Sequence, residues 1–199
     1  MASIRLQAEM INLNATEKNK TGPVPKFAKR LMDGVFQLEN QMEKILHMGK
    51  LEVGKTNVNK TTLDLSLILP YIIRKIDPQF HITYSSPIPT STVMADEQLL
   101  EVIFRNLLEN TKIHNKLSCA EIDFQKDKNG LIVSYFDDGH YSGNWQKLGE
   151  LFYSPTPGKG TGLGIYLIKN LMKKMNGTLA IKRRNHGLNF QLTFPRSKE

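Results

Sequence analysis

The sequence predicts an α+β protein, a mixed β-sheet with helices on one face, preceded by an α-helical hairpin. Over 27–51, apolar residues recur at steps of three and four, which is the period of a core-facing helix. Over 120–125 and 131–136, apolar and polar residues alternate instead, as they do in strands that bury one face. Residues 161–175 again have a helical pattern and are followed by Gly177, a common helix stop.

The predicted hairpin occupies the first quarter of the chain. Residues 4–13 carry apolar positions at helical spacing, and the helix 27–51 follows after the turn-rich stretch 14–25, in which Pro23 and Pro25 are expected to act as breakers. Two helices of this length bury little core by themselves. We therefore expect the hairpin to pair with a second copy.

The remaining elements combine short strands with helices. The long helix begins at Asp96, which suits an N-cap. A loop rich in Gly, Pro and Ser covers 138–160, and a loop of this length is typical of an active-site lid. Strands are predicted at 61–65, 79–84, 91–94, 178–183 and 189–194, and further helices at 66–76 and 96–116.

Composition excludes several classes of protein. The 199 residues are 40% apolar and 23% charged, which is typical of a globular chain. The apolar run Leu67–Ile73 contains Pro70 and is far shorter than the ~18–20 residues of a membrane span. The single cysteine, Cys119, excludes an internal disulfide and a cysteine-based zinc cluster. The net charge of +8 lies mainly in 171–199, which favours a solvated surface or a docking patch over nucleic-acid binding.

A glycine-rich stretch, Lys159 to Gly164, stands directly before a predicted helix. Glycines let the backbone approach a phosphate, and a helix N-terminus offers free N–H groups with a partial positive charge. The stretch is therefore an anion cradle or a plain tight turn. It fits neither the Walker A spacing nor the Rossmann fingerprint.

Two polar motifs precede this stretch. Asn106 and Asn110 share one face of the long helix, and amide oxygens suit an Mg²⁺ ion that already carries water and phosphates. The alternative is a pair of exposed or capping asparagines. Asp137 ends a predicted strand two residues before Gly139. It would accept a hydrogen bond from an exocyclic amine if buried, or belong to a simple Asp-Gly turn.

Taken in order, these motifs resemble the catalytic and ATP-binding domain of sensor histidine kinases. NLLEN (106–110) looks like the N box, DDG (137–139) like the first glycine box, and GKGTGLGIYLIK (158–169) like the second. The resemblance covers about 60–195 and implies the Bergerat fold, a mixed sheet with helices on one face, shared with gyrase and MutL.

The segments MASIRLQAEMI (1–11) and ILHMGKLE (45–52) resemble parts of the dimerisation hairpin of the same kinases. The resemblance thus implies a partial dimerisation hairpin at 1–55, lacking the phosphoacceptor box, and an ATP-binding catalytic domain at 60–199 with its lid at 138–160. The reactive histidine is expected upstream of Met1, so we expect no autophosphorylation by this chain.

The function that the resemblance implies is that of an enzyme, a protein histidine kinase in two-component signal transduction. Such a phosphotransferase uses ATP and Mg²⁺ to phosphorylate a histidine on the dimerisation helix, for relay to an aspartate of a response regulator. The implied partners are a second copy, joined through the hairpin, and a receiver domain, with no role for nucleic acid. The implied location is the cytoplasm, either free or as the cytoplasmic portion of an inner-membrane sensor.

The resemblance also assigns roles to residues. Asn110 would hold Mg²⁺, Asn106 would support the phosphates, and Asp137 would bond the adenine amino group with Gly139 allowing close approach. His114 would flank the nucleotide or be a structural histidine whose hydrogen bonds are satisfied within the fold. The second glycine box would wrap the phosphates through Lys159, Gly160, Thr161, Gly162, Leu163 and Gly164.

The carboxylate of Glu109 either assists proton transfer or is an ordinary solvated helix residue. Gyrase-like members have Glu where Asn106 stands, and that Glu activates water. An amide at this position favours transfer to a protein side chain over hydrolysis. Phe152 and Tyr153 match the aromatic segment of the lid, or simply pack the lid onto the domain.

Two residues depart from the family pattern. Tyr141 replaces the second glycine of the first glycine box, and Ile113 replaces a lysine after the N box, whose charge Lys112, Lys116 or Lys159 would have to supply. Two other functions therefore stay open. One is an anti-sigma-type serine kinase of the same fold, and the other is an interaction scaffold that binds no nucleotide.

Overall fold

The computed structural model describes residues 23–52, 57–85, 92–114, 119–127, 130–139, 141, 143–155 and 160–195. The chain divides into two compact units at Glu52. The predicted helix at 4–13, Lys116 and the predicted site residue Lys159 lie outside the described residues.

The first unit contributes one long helix, α1 (Pro23–Glu52), which confirms the helix predicted at 27–51. Contrary to the prediction, Pro23 and Pro25 do not break it. They lie in its first turn, where a missing backbone N–H removes no helical hydrogen bond. Large apolar side chains along α1 stay 47–60% exposed: Leu31, Leu38, Met42, Ile45 and Leu46. None of the helices in the described ranges is apolar and long enough to cross a bilayer.

The second unit is built on a five-stranded mixed sheet with the strand order β2-β4-β5-β7-β6. The outer strand β2 runs parallel to β4, and the other pairs are antiparallel. A separate two-stranded sheet pairs β1 with β3. The strands are β1 (Thr61–Asp64), β2 (His81–Tyr84), β3 (Thr92–Ala95), β4 (Cys119–Asp127), β5 (Gly130–Asp137), β6 (Thr178–Arg183) and β7 (Leu188–Pro195).

Three helices accompany this sheet: α2 (Leu65–Ile76), α3 (Glu97–His114) and α4 (Leu163–Lys174). The carboxylate of Asp96 accepts a hydrogen bond from the N–H of Leu99 at 3.1 Å, which confirms the predicted N-cap of α3. The helix predicted from Thr161 begins two residues later, because Gly162 adopts a left-handed conformation with φ of 70°. The long loop between β5 and α4 contains a short 3₁₀ helix, Trp145–Lys147.

One face of the sheet carries the core. Alternate residues of β5 and β7 are buried, as are apolar side chains of α3 and α4, and the hydroxyls of Tyr135 on β5 and Thr111 on α3 lie 2.7 Å apart. On the opposite face, polar residues such as Ser134 and Gln191 face each other across β5 and β7. Cys119, at the start of β4, is a half-buried free thiol. The core side chains include Leu131, Val133, Tyr135, Phe190, Leu192, Phe194, Leu100, Phe104, Leu107, Leu167 and Leu171.

Candidate functional site

The start of α4 lies directly against the asparagine pair of α3. A Cβ atom added to Gly164 would lie 3.0 Å from the Oδ1 atom of Asn106 and 3.7 Å from the Oδ1 atom of Asn110. A side chain at Gly164 would thus crowd the amide of Asn106. The structure therefore brings together the two motifs that the sequence predicts to act on phosphates and metal.

Both asparagines carry an atom without a hydrogen-bond partner. In the described part of the chain, three side-chain atoms are buried and unpaired: the Oδ1 atom of Asn106, the Nδ2 atom of Asn110 and, on β7, the Oδ1 atom of Asn189. The Nδ2 atom of Asn106 donates to the carbonyl of Val102 at 2.8 Å, which fixes the orientation of that amide. A buried polar group without a partner costs about 1–3 kcal/mol. Such atoms mark a site that fits a polar ligand.

The N-terminus of α4 suits an anion. Its N-cap residue, Gly162, has no side chain with which to cap the helix, and the first turn contains no acidic residue. The N–H of Leu163 points to the Oγ1 atom of Thr161 at 3.4 Å, a long hydrogen bond. Exposed N–H groups and the helix dipole make such an end attractive to phosphate.

Phe152 and Tyr153, the aromatic segment of the predicted lid, lie against Gly162 at the start of α4. A Cβ atom on Gly162 would lie 2.5 Å from the carbonyl carbon of Phe152 and 2.6 Å from the backbone N and O atoms of Tyr153. Phe152 is 68% exposed and has a φ of 62°, which is unusual for a bulky residue. By contrast, Gly160 has a φ of 89°, and a Cβ atom added there would meet no atom within 4 Å, so its conformation alone favours glycine.

A second cluster surrounds Asp137, which is only 1% exposed at the end of β5. Its Oδ1 atom accepts a hydrogen bond from the N–H of Gly139 at 2.7 Å. Its Oδ2 atom accepts hydrogen bonds from the hydroxyls of Thr111 and Tyr141, each at 3.0 Å. The buried carboxylate is therefore held by donors from α3, from its own strand end and from the loop that follows β5.

The cluster extends into the core through Tyr135. The hydroxyls of Thr111 and Tyr135 are 2.7 Å apart. An ionised carboxylate only accepts hydrogen bonds, and a threonine has one hydroxyl hydrogen. The Thr111 hydroxyl also lies 3.2 Å from the carbonyl oxygen of Leu107, a second acceptor for its hydrogen. When that hydrogen goes to Asp137, the chain of donors runs from Tyr135 to Thr111 to Asp137. Burial raises the pKa of Tyr135 far above its ordinary value, so this hydroxyl remains a donor.

Gly139 and His114 complete this end of the site. A Cβ atom on Gly139 would lie 2.8 Å from the Oδ1 atom of Asp137 and 3.0 Å from the Cβ atom of His114. The rings of His114 and Tyr141 pack with centroids 4.8 Å apart and planes tilted by 34°. Burial, reinforced by the nearby Asp137 charge, raises the pKa of Tyr141 far above its usual range.

Several predicted residues take other positions. The ammonium group of Lys112 pairs with Asp77 at 2.5 Å, so it does not supply the missing charge at the site. The side chain of Leu163 is buried in the core, which leaves only its backbone for the glycine box. Glu109 is half-buried on α3, and Ile113 is exposed.

Thr111 and Tyr135 were not among the residues predicted for the site. The only sequence signal for them is a hydroxyl at a position whose helix or strand face is otherwise apolar. Thr111 lies one turn after Leu107, and Tyr135 lies on the buried face of β5. This signal indicates a paired polar group but does not identify its partner.

A sheet covered by helices on one face, with an amide pair beside an uncapped helix start, is a class of domain whose site suits a ligand with phosphate groups. The family described as histidine kinase-, DNA gyrase B-, and HSP90-like ATPase matches residues 95–198, just over half of the chain, and the chain belongs to this family. The predicted family and the Bergerat-type fold are confirmed.

Solved structures of histidine kinases share this fold. The Acinetobacter baumannii histidine kinase AdeS matches with a TM-score of 0.71 and 15% identity over 98% of this chain and 96% of its own. Full-length ShkA in complex with AMPPNP matches with a TM-score of 0.68 and 18% identity over 100% of this chain and 45% of its own. The ATP-binding domain of PrrB from Mycobacterium tuberculosis matches with a TM-score of 0.56 and 16% identity, over 70% and 99% respectively. A comparison with curated protein sequences gives no significant match.

Proposed function

We propose that this chain binds ATP with Mg²⁺ as the kinase portion of a two-component histidine kinase. The observation that carries the proposal is the pair of unpaired amide atoms on Asn106 and Asn110, set against the start of α4. The γ-phosphate would pass to a histidine of a dimerisation helix and from there to an aspartate of a response regulator.

Each end of the site has a distinct task in this proposal. Asn110 would hold Mg²⁺ through its Oδ1 atom, and its unpaired Nδ2 group is left to donate to a phosphate oxygen. Asn106 would support the phosphate side through its unpaired Oδ1 atom, which can accept from a water on Mg²⁺ but not bond a phosphate oxygen. Bound ATP supplies the phosphoryl group, and Mg²⁺ neutralises charge on it. The backbone of Gly160, Gly162 and Gly164 and the helix dipole of α4 hold the phosphates in place. Asp137 is the proposed acceptor for the adenine amine, with His114 beside the base.

Phosphoryl transfer fits these residues better than hydrolysis does. An amide at Asn106 cannot remove a proton from water, so this position offers no general base. Glu109 is the remaining carboxylate in the N box, and we propose at most an assisting role in proton transfer. The chain's own contribution is then positioning and charge stabilisation rather than covalent chemistry.

The proposed domain division is a dimerisation hairpin at 1–55 and a catalytic domain at 60–199, with its lid at 138–160. The apolar side chains that stay exposed along α1 support dimerisation, because a second copy would cover them. A receiver domain is the further proposed partner. We propose a cytoplasmic location, either free or as part of an inner-membrane sensor.

Calorimetric titration with a non-hydrolysable ATP analogue tests the binding. We expect saturable binding that requires Mg²⁺ and that Asn110→Ala weakens by about tenfold or more. Asn170→Ala is the matched control. Asn170 also lies on a helix and bonds the carbonyl four residues earlier, at 2.9 Å. Absence of binding at millimolar nucleotide would instead favour the scaffold, for which the occupied carboxylate of Asp137 argues.

Phosphotransfer is tested by adding γ-labelled ATP together with a separate helical hairpin that carries a histidine-kinase phosphoacceptor site. We expect acid-labile phosphate on that hairpin and its passage to a receiver domain. Acid-stable phosphate on a serine of an added partner would identify the anti-sigma-type serine kinase instead.

A further inference from the structure

Tyr141 occupies the position on Asp137 that a nucleobase amine would need. Its hydroxyl donates to the Oδ2 atom of Asp137 at 3.0 Å, and its ring packs on His114. An exocyclic amine is a hydrogen-bond donor, as a tyrosine hydroxyl is. The protein thus satisfies its own base-binding carboxylate with an internal donor.

The carboxylate of Asp137 has little capacity for another donor. A carboxylate presents about four lone-pair sites. Both sites on Oδ2 are taken, by Thr111 and Tyr141, and Gly139 takes one on Oδ1. Because Thr111 and Gly139 are fixed by a helix and by the strand end, Tyr141 is the donor that a ligand can displace.

A place for the displaced ring exists next to it. A pocket of about 200 Å³ is lined by Tyr141, Trp145, Arg184 and His186, among others. An apolar cavity of ~150 Å³ in another protein is large enough for benzene. Aromatic and guanidinium groups in the lining suit a phenol ring. The ring of Tyr141 therefore has room to leave Asp137 without leaving the domain.

We propose that Tyr141 determines nucleotide affinity and base selectivity by competing with the base for Asp137, and that bound adenine drives its ring into the adjacent pocket. This inference rests on the proposed function. While Tyr141 is bonded to Asp137, the site binds the triphosphate beside Asn106, Asn110 and the start of α4. It then discriminates poorly between different bases. ATP, GTP and inorganic tripolyphosphate then bind with similar affinities.

Titrations with ATP, GTP and tripolyphosphate, each with Mg²⁺, test the inference. The variants are Tyr141→Gly, Tyr141→Phe and, as a control for an exposed tyrosine on α2, Tyr71→Phe. Tyr141→Gly is expected to raise ATP affinity about tenfold or more with tripolyphosphate affinity unchanged. Tyr141→Phe, which keeps the ring packing and removes only the hydroxyl, is expected to raise ATP affinity severalfold, and Tyr71→Phe to change neither.

Trp145 provides a direct readout, because it is the single tryptophan of the chain and lines the pocket. ATP is expected to change its fluorescence in the wild type but not in Tyr141→Gly, and tripolyphosphate in neither.

Three results would overturn the inference. Tight and base-selective ATP binding by the wild type that both Tyr141 variants leave unchanged would overturn it and leave the proposed function standing. An ATP-induced fluorescence change that persists in Tyr141→Gly would overturn the movement of the ring. Absence of any binding by the wild type and all variants would overturn the proposed function and the inference together.

Discussion

The two ends of the candidate nucleotide site are built in opposite ways. At the phosphate end, two buried amide atoms of Asn106 and Asn110 have no partner, and α4 begins without a capping side chain. At the base end, the carboxylate of Asp137 accepts three hydrogen bonds from the protein itself. Both ends use residues of α3, but only the phosphate end has buried polar atoms without a partner among the residues that the structure describes.

This difference indicates where a ligand gains free energy. An unpaired buried group already carries its desolvation penalty before the ligand arrives, so a partner for it is pure gain. A paired group must first give up its existing bond, and the net gain is small. The triphosphate together with its Mg²⁺ should therefore supply most of the affinity, because the unpaired atoms are one acceptor and one donor. The base should contribute only after a side chain moves.

The largest expected effect comes from adding a side chain at the glycine that begins α4, at the phosphate end. Gly162→Ala should destabilise the fold by about 2–4 kcal/mol and abolish nucleotide binding, because it adds backbone overlap to a left-handed conformation. Gly160→Ala shares the left-handed φ but meets no atom, so it should cost only about 1–2 kcal/mol. Urea unfolding measures both, and equal losses would refute the role of the lid contact.

A smaller effect separates binding from stability at the same end. Asn106→Ala should weaken Mg²⁺-dependent binding of the ATP analogue by about 10–100-fold, the value of an interaction with a charged group, because the unpaired Oδ1 atom would no longer accept from Mg²⁺-bound water. It should change the free energy of unfolding by less than about 1 kcal/mol, because the lost bond to Val102 is offset by removal of an unpaired buried oxygen.

The matched control for this variant is Asn170→Ala, which removes the same kind of local hydrogen bond from α4. It should leave the affinity unchanged. A large loss of stability in Asn106→Ala would mean that this amide serves the fold and not a ligand.

At the base end, removal of a polar side-chain group should lower the stability of the fold. Thr111→Val removes the hydroxyl between Tyr135 and Asp137 and should lower the free energy of unfolding by about 1–3 kcal/mol, because two buried groups lose a partner. Thr111→Ser restores the hydroxyl and should recover most of that loss. If Thr111→Val leaves the free energy of unfolding unchanged in chemical denaturation, internal hydrogen bonds do not stabilise the base end. The contrast between the two ends would then be refuted.

The smallest effect lies outside both ends. The hydrogen bond from Lys112 holds the pKa of Asp77 below its usual range. The resulting stability is present above the ordinary aspartate pKa of about 3.9 and is lost as the pH falls through the folded-state value. Lys112→Met should thus cost less than about 1 kcal/mol near neutral pH and nothing in strong acid.

Lys112→Arg keeps the charge and is the control for this pair. Nucleotide affinity should not change in either variant, because Lys112 is engaged with Asp77. A loss of nucleotide affinity in Lys112→Met but not in Lys112→Arg would instead show that the charge of Lys112 contributes to phosphate binding.

The sequence predicts the parts of the site that depend on local spacing. The i, i+4 relation of Asn106 and Asn110 follows from helix geometry, and the strand that ends at Asp137 follows from its alternating pattern. The run of glycines before α4 is recognisable in the sequence, because few other residues tolerate the φ of 70° at Gly162.

The parts that depend on tertiary packing could not be predicted. Thr111 meets Tyr135 and Asp137 across 24 and 26 residues of chain, and a hydroxyl does not encode which of many buried acceptors it will find. The ion pair of Lys112 with Asp77 likewise joins two helix ends that only the folded core brings together. Tyr141 stands out in the sequence as a missing glycine, but only the structure relates it to the carboxylate four residues earlier.

The half-buried thiol of Cys119 at the start of β4 has a practical consequence for measuring assembly. It is the sole cysteine of the chain, so each protomer accepts one spin label or one fluorophore without mutagenesis. A dimer labelled in this way contains a single pair of probes and gives one interprotomer distance distribution, whereas a monomer gives none. Labels on the native Cys119 can therefore measure the dimerisation that we propose without any substitution in the chain.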